Sequence, residues 1–480
     1  MPKFQVDESQ SLSVPAPEGA VVPSSTIPAP GASNAPDAAD PHLTPRSFAR
    51  QRTLWLIGPA LVAGVAYLDP GNVASNMTAG AQYGYLLVWV VVLANAMAWL
   101  IQYLSAKLGI VTGRSLPENL GGRITNRWGR RAYWVQAELV AMATDLAEVI
   151  GGAVALNLLF GIPLLAGGLI TGVVSLTLLV LQSRGGARPF EFVVMGLVVI
   201  IAIGFSVGVF IAPPTAGGVF GGLVPRFADS NSVLLAASIL GATIMPHAIY
   251  AHSALARDRF VGPAARGALR GRGWFGFGVR AERDIRPLAP GTATEIPTET
   301  LIRATRWDVS IAMAIAGSVN LCILLLAAVN LAGVEGTNSL EGAHHALTGA
   351  LGGVIATLFA VGLLASGLAS TSVGAYAGAE IMHGLLKVQV PLIARRVITL
   401  LPALAILGFG FDPTRALVLS QVVLSFGIPF ALVPLIWLTS RAELLGRWQN
   451  RLFTNVAGIL AAVFLIALNG VLLWLVLTGA

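Results

Sequence analysis

Asp69-Pro70-Gly71-Asn72 interrupts one apolar stretch of membrane length, Met245-Pro246-His247 interrupts another, and these two breaks decide the fold. A helix crossing hydrocarbon can unwind at Pro or Gly only where the freed backbone groups line a protein cavity, because lipid offers them no hydrogen-bond partner. Pro70, Gly71 and Pro246 are therefore read as helix breakers, and the residues beside them as candidate binding elements. Corresponding breaks in two halves of a chain point to a secondary transporter with its site near the bilayer midplane.

The composition around the breaks agrees. The 480 residues are 55% hydrophobic and only 11% charged, with a mean hydropathy of +0.76, whereas a soluble domain carries roughly 25% charged residues. An all-α integral membrane protein is predicted. A formal charge of +7 reflects basic cytoplasmic loops in such a chain and does not call for nucleic acid. Cys322 stands alone, which excludes an internal disulfide and a cysteine metal cluster, and it is read as inert packing. No nucleotide loop, nucleophile elbow or sizeable soluble domain is present, so neither an enzyme nor a bound cofactor is expected.

Residues 1–45, rich in Pro, Ala and Ser, read as a disordered tail. They lack the basic and apolar regions of a signal peptide, so no cleaved leader is expected. Beyond them about 11 apolar stretches reach the roughly 20 residues a membrane helix needs: 53–80, 84–110, 131–160, 162–182, 190–212, 233–256, 306–334, 344–378, 389–409, 413–438 and 452–478. With that count, every one of the 30 Lys and Arg except Arg226 and Arg415 falls on one side of the membrane. A miscounted span would scramble this asymmetry. The rule that basic residues stay in the cytoplasm then puts the amino terminus inside and the carboxyl terminus outside a multi-pass protein of the cell membrane.

Five spans is an odd number, so 53–212 and 233–438 run in opposite directions, and each opens with a broken helix. This is a 5+5 inverted repeat of the leucine-transporter type. The span 452–478 lies outside the repeat, within a transmembrane domain that covers 46–480, and 257–305 forms a long cytoplasmic connection.

The chemistry at the breaks is mixed. Asp69 and Asn72 are hard oxygen donors, whereas Met245 carries a thioether that magnesium or calcium would not reward. Backbone carbonyls freed at Ala66 and Ala242 could complete a shell suited to a first-row transition metal. Each residue has a plainer reading: a lone membrane Met usually fills core, and Asp before Pro-Gly can serve as a helix cap. Their joint occurrence at two facing breaks favours ligands.

GPALVAGVAYLDPGN at 58–72, TDLAEVIG at 144–151, MPHAIYAHSAL at 245–255, RRVITLLPAL at 395–404 and SQVVLSFGIPFALVPL at 420–435 resemble signatures of the Nramp family of divalent metal transporters, bacterial manganese importers in particular. The resemblance runs from about residue 45 to 478 and lapses over 258–302. It implies a proton-coupled importer of Mn²⁺ that also accepts Fe²⁺, both ions and protons being substrates. It also implies metal ligation by Asp69, Asn72, Met245 and the carbonyls of Ala66 and Ala242, with Gln421 of the tenth span joining in some states.

Asp145 and Glu148 lie three apart on one face of the third span, and membrane carboxylates normally face a polar pathway. They suggest a proton relay that also takes in Asp69. His247 and His252 follow Met245 in the sixth span and are candidates for proton exchange. The alternative is a static buried pair of Asp145 or Glu148 with Arg395 or Arg396; the resemblance implies a polar network through the third and ninth spans that carries protons.

The Arg/Gly-rich stretch 258–302 carries no functional reading. His344 and His345, expected on an outer loop, either collect metal or are plain solvated residues. Glu380 either lines an exit or caps a helix. A sodium- or proton-coupled symporter of a small organic solute such as an amino acid is the competing class. It would want small residues and free amides where this chain has Met and His. No obligatory protein partner is evident beyond the lipid bilayer.

Overall fold

The structure is a computed structural model and describes residues 58–185, 187–260, 297–387 and 392–478. The tail predicted over 1–45 lies outside the described residues, as does 261–296 of the long connection. All regular structure among the described residues is helical. Among the described residues seven helical segments, the interrupted Ser230–Phe260 included, are long and apolar enough to cross a membrane, and shorter helices occupy the other predicted stretches.

The first span is built from three pieces, a helix Pro59–Gly64, a 3₁₀ turn Val65–Leu68 and a helix Pro70–Tyr83. Pro70 has no N–H, so the carbonyl of Ala66 four residues earlier loses its helical donor, and the turn tightens before the chain restarts. Asp69 makes that restart. Its backbone is extended (φ −76°, ψ 164°) and its carboxylate accepts the Asn72 N–H at 2.8 Å, as an N-cap should. The sixth span breaks in the same way, into Ser230–Thr243 and Pro246–Phe260. Pro246 leaves the carbonyl of Ala242, again four residues back, without its donor.

The intact spans follow as Val88–Thr112, Arg127–Phe160, Leu164–Gly185, Ala187–Ile211, Thr298–Asn330, Gly353–Leu386, Leu392–Gly408, Pro413–Thr439 and Leu452–Thr478. The eighth differs from its prediction over 344–378. Gly352, at φ 89°, ends a separate helix Leu340–Leu351, and the span begins one residue later. His344 and His345 accordingly sit on a helix and not on a loop.

Four spans of the first half pack on their counterparts in the second. The third span lies along the eighth, the second along the seventh, the fourth along the ninth, and the two broken helices against each other. The third span also packs on the tenth and the eighth on the fifth, so contacts of one half recur in the other, as an inverted repeat demands. Close approach at the breaks depends on missing side chains. A Cβ on Gly151 of the third span would lie 2.1 Å from the Pro70 ring, and one on Gly241 would lie 1.9 Å from the backbone oxygen of Gln421 in the tenth span.

Candidate metal site

Both breaks face one another in a site sealed from solvent. Asp69, Asn72, Ala66, Ala242, Met245, His247 and Gln421 are all fully buried. The Asn72 amide nitrogen donates to Asp69 Oδ1 at 2.7 Å and to the freed Ala242 carbonyl at 2.8 Å. Thr243 Oγ1 donates to Asn72 Oδ1 at 3.3 Å. From the tenth span Gln421 Nε2 reaches Asp69 Oδ2 at 3.4 Å, while its Oε1 has no hydrogen-bond partner. Two oxygen acceptors from different halves of the chain thus converge on a single positively polarised N–H₂ group. A cation placed between them would meet the same two oxygens with a full charge in place of a partial one.

Neighbouring carbonyls of the first break are already committed. Asn320 Nδ2 donates to Tyr67 O at 2.9 Å, and Ser366 Oγ donates to Leu68 O. These two bonds tie the unwound segment to the seventh and eighth spans, and Ala66 O is the carbonyl that Pro70 deprives of its helical donor.

The halves Pro70–Tyr83 and Ser230–Thr243 of the broken helices are fastened along their length. Ser75 and Ser238 share a hydrogen bond of 2.6 Å. At the far end Tyr83 donates to Asp229 at 2.6 Å and Asn231 donates to Gln82 at 2.8 Å. The Tyr83 hydroxyl holds the exposed Asp229 carboxyl below its ordinary range.

The third and ninth spans carry the charged cluster. Arg396, almost fully buried, binds Asp145 at 2.5 Å and Glu148 at 3.2 Å, and also donates to Ser175 at 2.8 Å and Thr371 at 3.3 Å. Arg395 bonds Glu138 at 2.9 Å and lies 3.7 Å from Asp145. The ion pairs foreseen as the alternative to a relay are therefore present. His247 Nδ1 lies 3.0 Å from Thr144 Oγ1, one residue from Asp145, which brings the sixth span to this cluster. His252 takes a separate route. Its Nδ1 lies 2.6 Å from Gln102 Oε1, and Gln102 in turn donates to the Tyr67 hydroxyl beside the first break.

Several of these residues escape a sequence reading. Glu138 had a signal, since positions 138, 145 and 148 fall on one helical face. Thr243, Thr144, Gln102, Asn320 and Ser366 are neutral polar residues in apolar runs, with no spacing that separates them from packing. Glu380 pairs with Arg257 at 3.2 Å, and Arg257 also meets Glu118 at 2.6 Å; it caps no helix and instead joins the ends of three segments.

A helical membrane protein built on paired halves, with a sealed polar site where two broken helices meet, has the architecture of a secondary transporter. Residues 60–475 match the family model described as natural resistance-associated macrophage protein-like. The chain belongs to the Nramp family. It is 56% identical over 429 residues to the divalent metal cation transporter MntH of Mycobacterium tuberculosis, covering 89% of this chain and 93% of that one. The transporter of the same description from Deinococcus radiodurans is 44% identical over 459 residues, 92% of this chain and 97% of its own. Among solved structures, the Eremococcus coleocola manganese transporter crystallised with an aromatic bis-isothiourea compound is similar at a TM-score of 0.72 and 31% identity, covering 90% of this chain and 87% of that one.

Proposed function

We propose that this protein imports divalent transition-metal ions, Mn²⁺ foremost and Fe²⁺ as well, in symport with protons and by alternating access. The observation that carries the reading is the convergence of the Asp69 carboxylate and the freed Ala242 carbonyl on the Asn72 amide, at 2.7 and 2.8 Å. Relatives named as divalent metal cation transporters share most of the chain.

Asp69, Asn72, Met245 and the carbonyls of Ala66 and Ala242 hold the dehydrated metal, with Gln421 closing the shell from the tenth span. For the metal to bind, the Asn72 amide turns its oxygen inward and surrenders the place its nitrogen holds. Met245 supplies a sulfur that hard cations do not reward, which biases the site against Ca²⁺ and Mg²⁺. The fastened halves of the first and sixth spans move as one body while the site changes its exposure.

Protons pass from Asp69 to Glu148, Asp145 and the ninth-span arginines, with His247 and His252 at the margins. Arg396 grips Asp145 more closely than Glu148, 2.5 against 3.2 Å, and neither Glu148 oxygen has a well-aligned hydrogen bond. Glu148 is thus the freer member and the one that accepts a proton, while Asp145 anchors the arginine. The basic asymmetry of the sequence supports a cytoplasmic amino terminus, an outer carboxyl terminus and a transporter domain over 46–480, preceded by a cytoplasmic tail.

Uptake of Mn²⁺ by purified protein in liposomes, driven in turn by a proton gradient, a sodium gradient or neither, tests this reading. Stimulation by the proton gradient alone is expected. Stimulation by sodium alone, or sodium-driven uptake of an amino acid without Mn²⁺ transport, would replace it with the organic-solute class.

A further inference from the structure

Away from the metal site, the ends of the second, seventh and eleventh spans meet at a cluster of cations that the transport cycle does not use. Lys107, in the last turns of the second span, is only 5% exposed. Its ammonium meets the Asn450 side-chain oxygen at 2.5 Å. Asn450 cannot turn away, because its own amide donates to Thr439 Oγ1 at 2.8 Å and its backbone N–H to Thr439 O at 3.0 Å. Among the described residues no carboxylate pairs with Lys107, Arg306 or Arg451.

These cations gather around one phenol. Lys107 Nζ and Arg306 Cζ each lie 5.7 Å from the centroid of the Tyr103 ring, and Arg451 is within electrostatic reach of the same side chain. Tyr103 stacks on Trp99 at 6.1 Å and 12°, and Trp99 donates to Ser310 at 2.9 Å. The aromatic pair is thereby fixed between the second and seventh spans. Trp307, next to Arg306, is 65% exposed on the outside of the bundle.

A mostly buried ammonium that meets a neutral amide oxygen and a ring face but no carboxylate is incompletely compensated. Aromatic rings beside Lys and Arg at helix ends mark the membrane interface, where the available anions are lipid headgroups. We propose that this cluster binds the headgroup of an anionic phospholipid, with Lys107 and Arg306 on its phosphate, Arg451 at the rim, and Tyr103, Trp99 and Trp307 against the glycerol and upper chains. The nearby Arg441 differs, having Glu443 at 4.0 Å as its own counter-charge.

The test is lipid binding by the full-length protein in detergent, measured by native mass spectrometry with phosphatidylglycerol, phosphatidylcholine and, separately, inorganic phosphate. Each cation near an anionic headgroup strengthens binding roughly fivefold, so wild type should prefer phosphatidylglycerol over phosphatidylcholine by roughly thirtyfold. The Lys107→Gln/Arg306→Gln double variant should lose the preference, and Lys107→Arg should keep it. Arg306→Gln alone, at an exposed position that does not threaten folding, should lose about fivefold. An unchanged preference in these Gln variants, or none in wild type, would overturn the proposal. Inorganic phosphate that displaces phosphatidylglycerol at equal concentration would assign the cluster to a free anion and overturn it equally.

Discussion

Replacing Gly71 by Ala asks whether the tenth span completes the metal shell. A Cβ on Gly71 would lie 1.8 Å from Gln421 Nε2, 2.3 Å from its Cδ and 2.8 Å from its Cγ. Ordinary contact needs about 3.5–4.0 Å, so the amide must retreat by roughly 2 Å. That motion carries it from Asp69, which it now approaches at 3.4 Å. The helix itself accepts Ala and gains about 1 kcal/mol of propensity, against about 1–3 kcal/mol of overpacking. The fold therefore survives and the loss falls on the metal, where removing a ligand or its support typically weakens affinity about 10–100-fold. Titration calorimetry with Mn²⁺ on the purified protein, together with KM for uptake in liposomes, reads the effect. Gly71→Ala and Gln421→Ala should each weaken binding by about tenfold or more. The double variant should be no weaker than Gln421→Ala, since both changes act through one amide. Additive losses, or an unaltered affinity in Gln421→Ala, would refute the reasoning.

Met245→Ala should keep Mn²⁺ uptake while Ca²⁺ and Mg²⁺ begin to compete, and unchanged competition would remove the thioether from the account. Arg396→Met should destabilise the protein by about 3–5 kcal/mol in a thermal melt, because it strands two buried carboxylates; adding Asp145→Asn should restore part of that loss. Gly241→Ala sets a methyl 1.9 Å from the Gln421 backbone oxygen and 2.9 Å from the Ser425 nitrogen, neither of which can rotate aside, so its melting temperature should fall below that of Gly71→Ala. Asp229 titrates below its unfolded value because of Tyr83, so its contribution to stability is present above the unfolded pKa and is lost as pH falls through the folded one. Tyr83→Phe should flatten this part of the melting profile below about pH 4.

The breaks were legible in the sequence because the cause is local. A proline has no N–H wherever it stands, and Pro70 and Pro246 free the carbonyls of Ala66 and Ala242 by chemistry alone. The helical spans were legible as apolar runs of membrane length. The beginning of the eighth span was not, because an apolar run passes through Gly352 without a polar boundary, and only the backbone turn at φ 89° separates the helix Leu340–Leu351 from the span. Within the site, charged residues and the Met-Pro-His break announced themselves. Thr243 and Thr144 did not, since their meaning comes from partners 171 and 103 residues away. The sequence offered relay and ion pair as alternatives for Asp145 and Glu148. The geometry at Arg396 provides the pair and, in its unequal distances, a reason for the two carboxylates to behave differently.

Acid-driven Mn²⁺ uptake into liposomes holding wild-type protein or Asp69→Ala tests the central claim most directly. The account predicts uptake in wild type that rises when the outside is acidified and vanishes in the variant, with both proteins equally folded by thermal melting. Equal uptake by the two proteins, or wild-type uptake indifferent to the proton gradient, would contradict it.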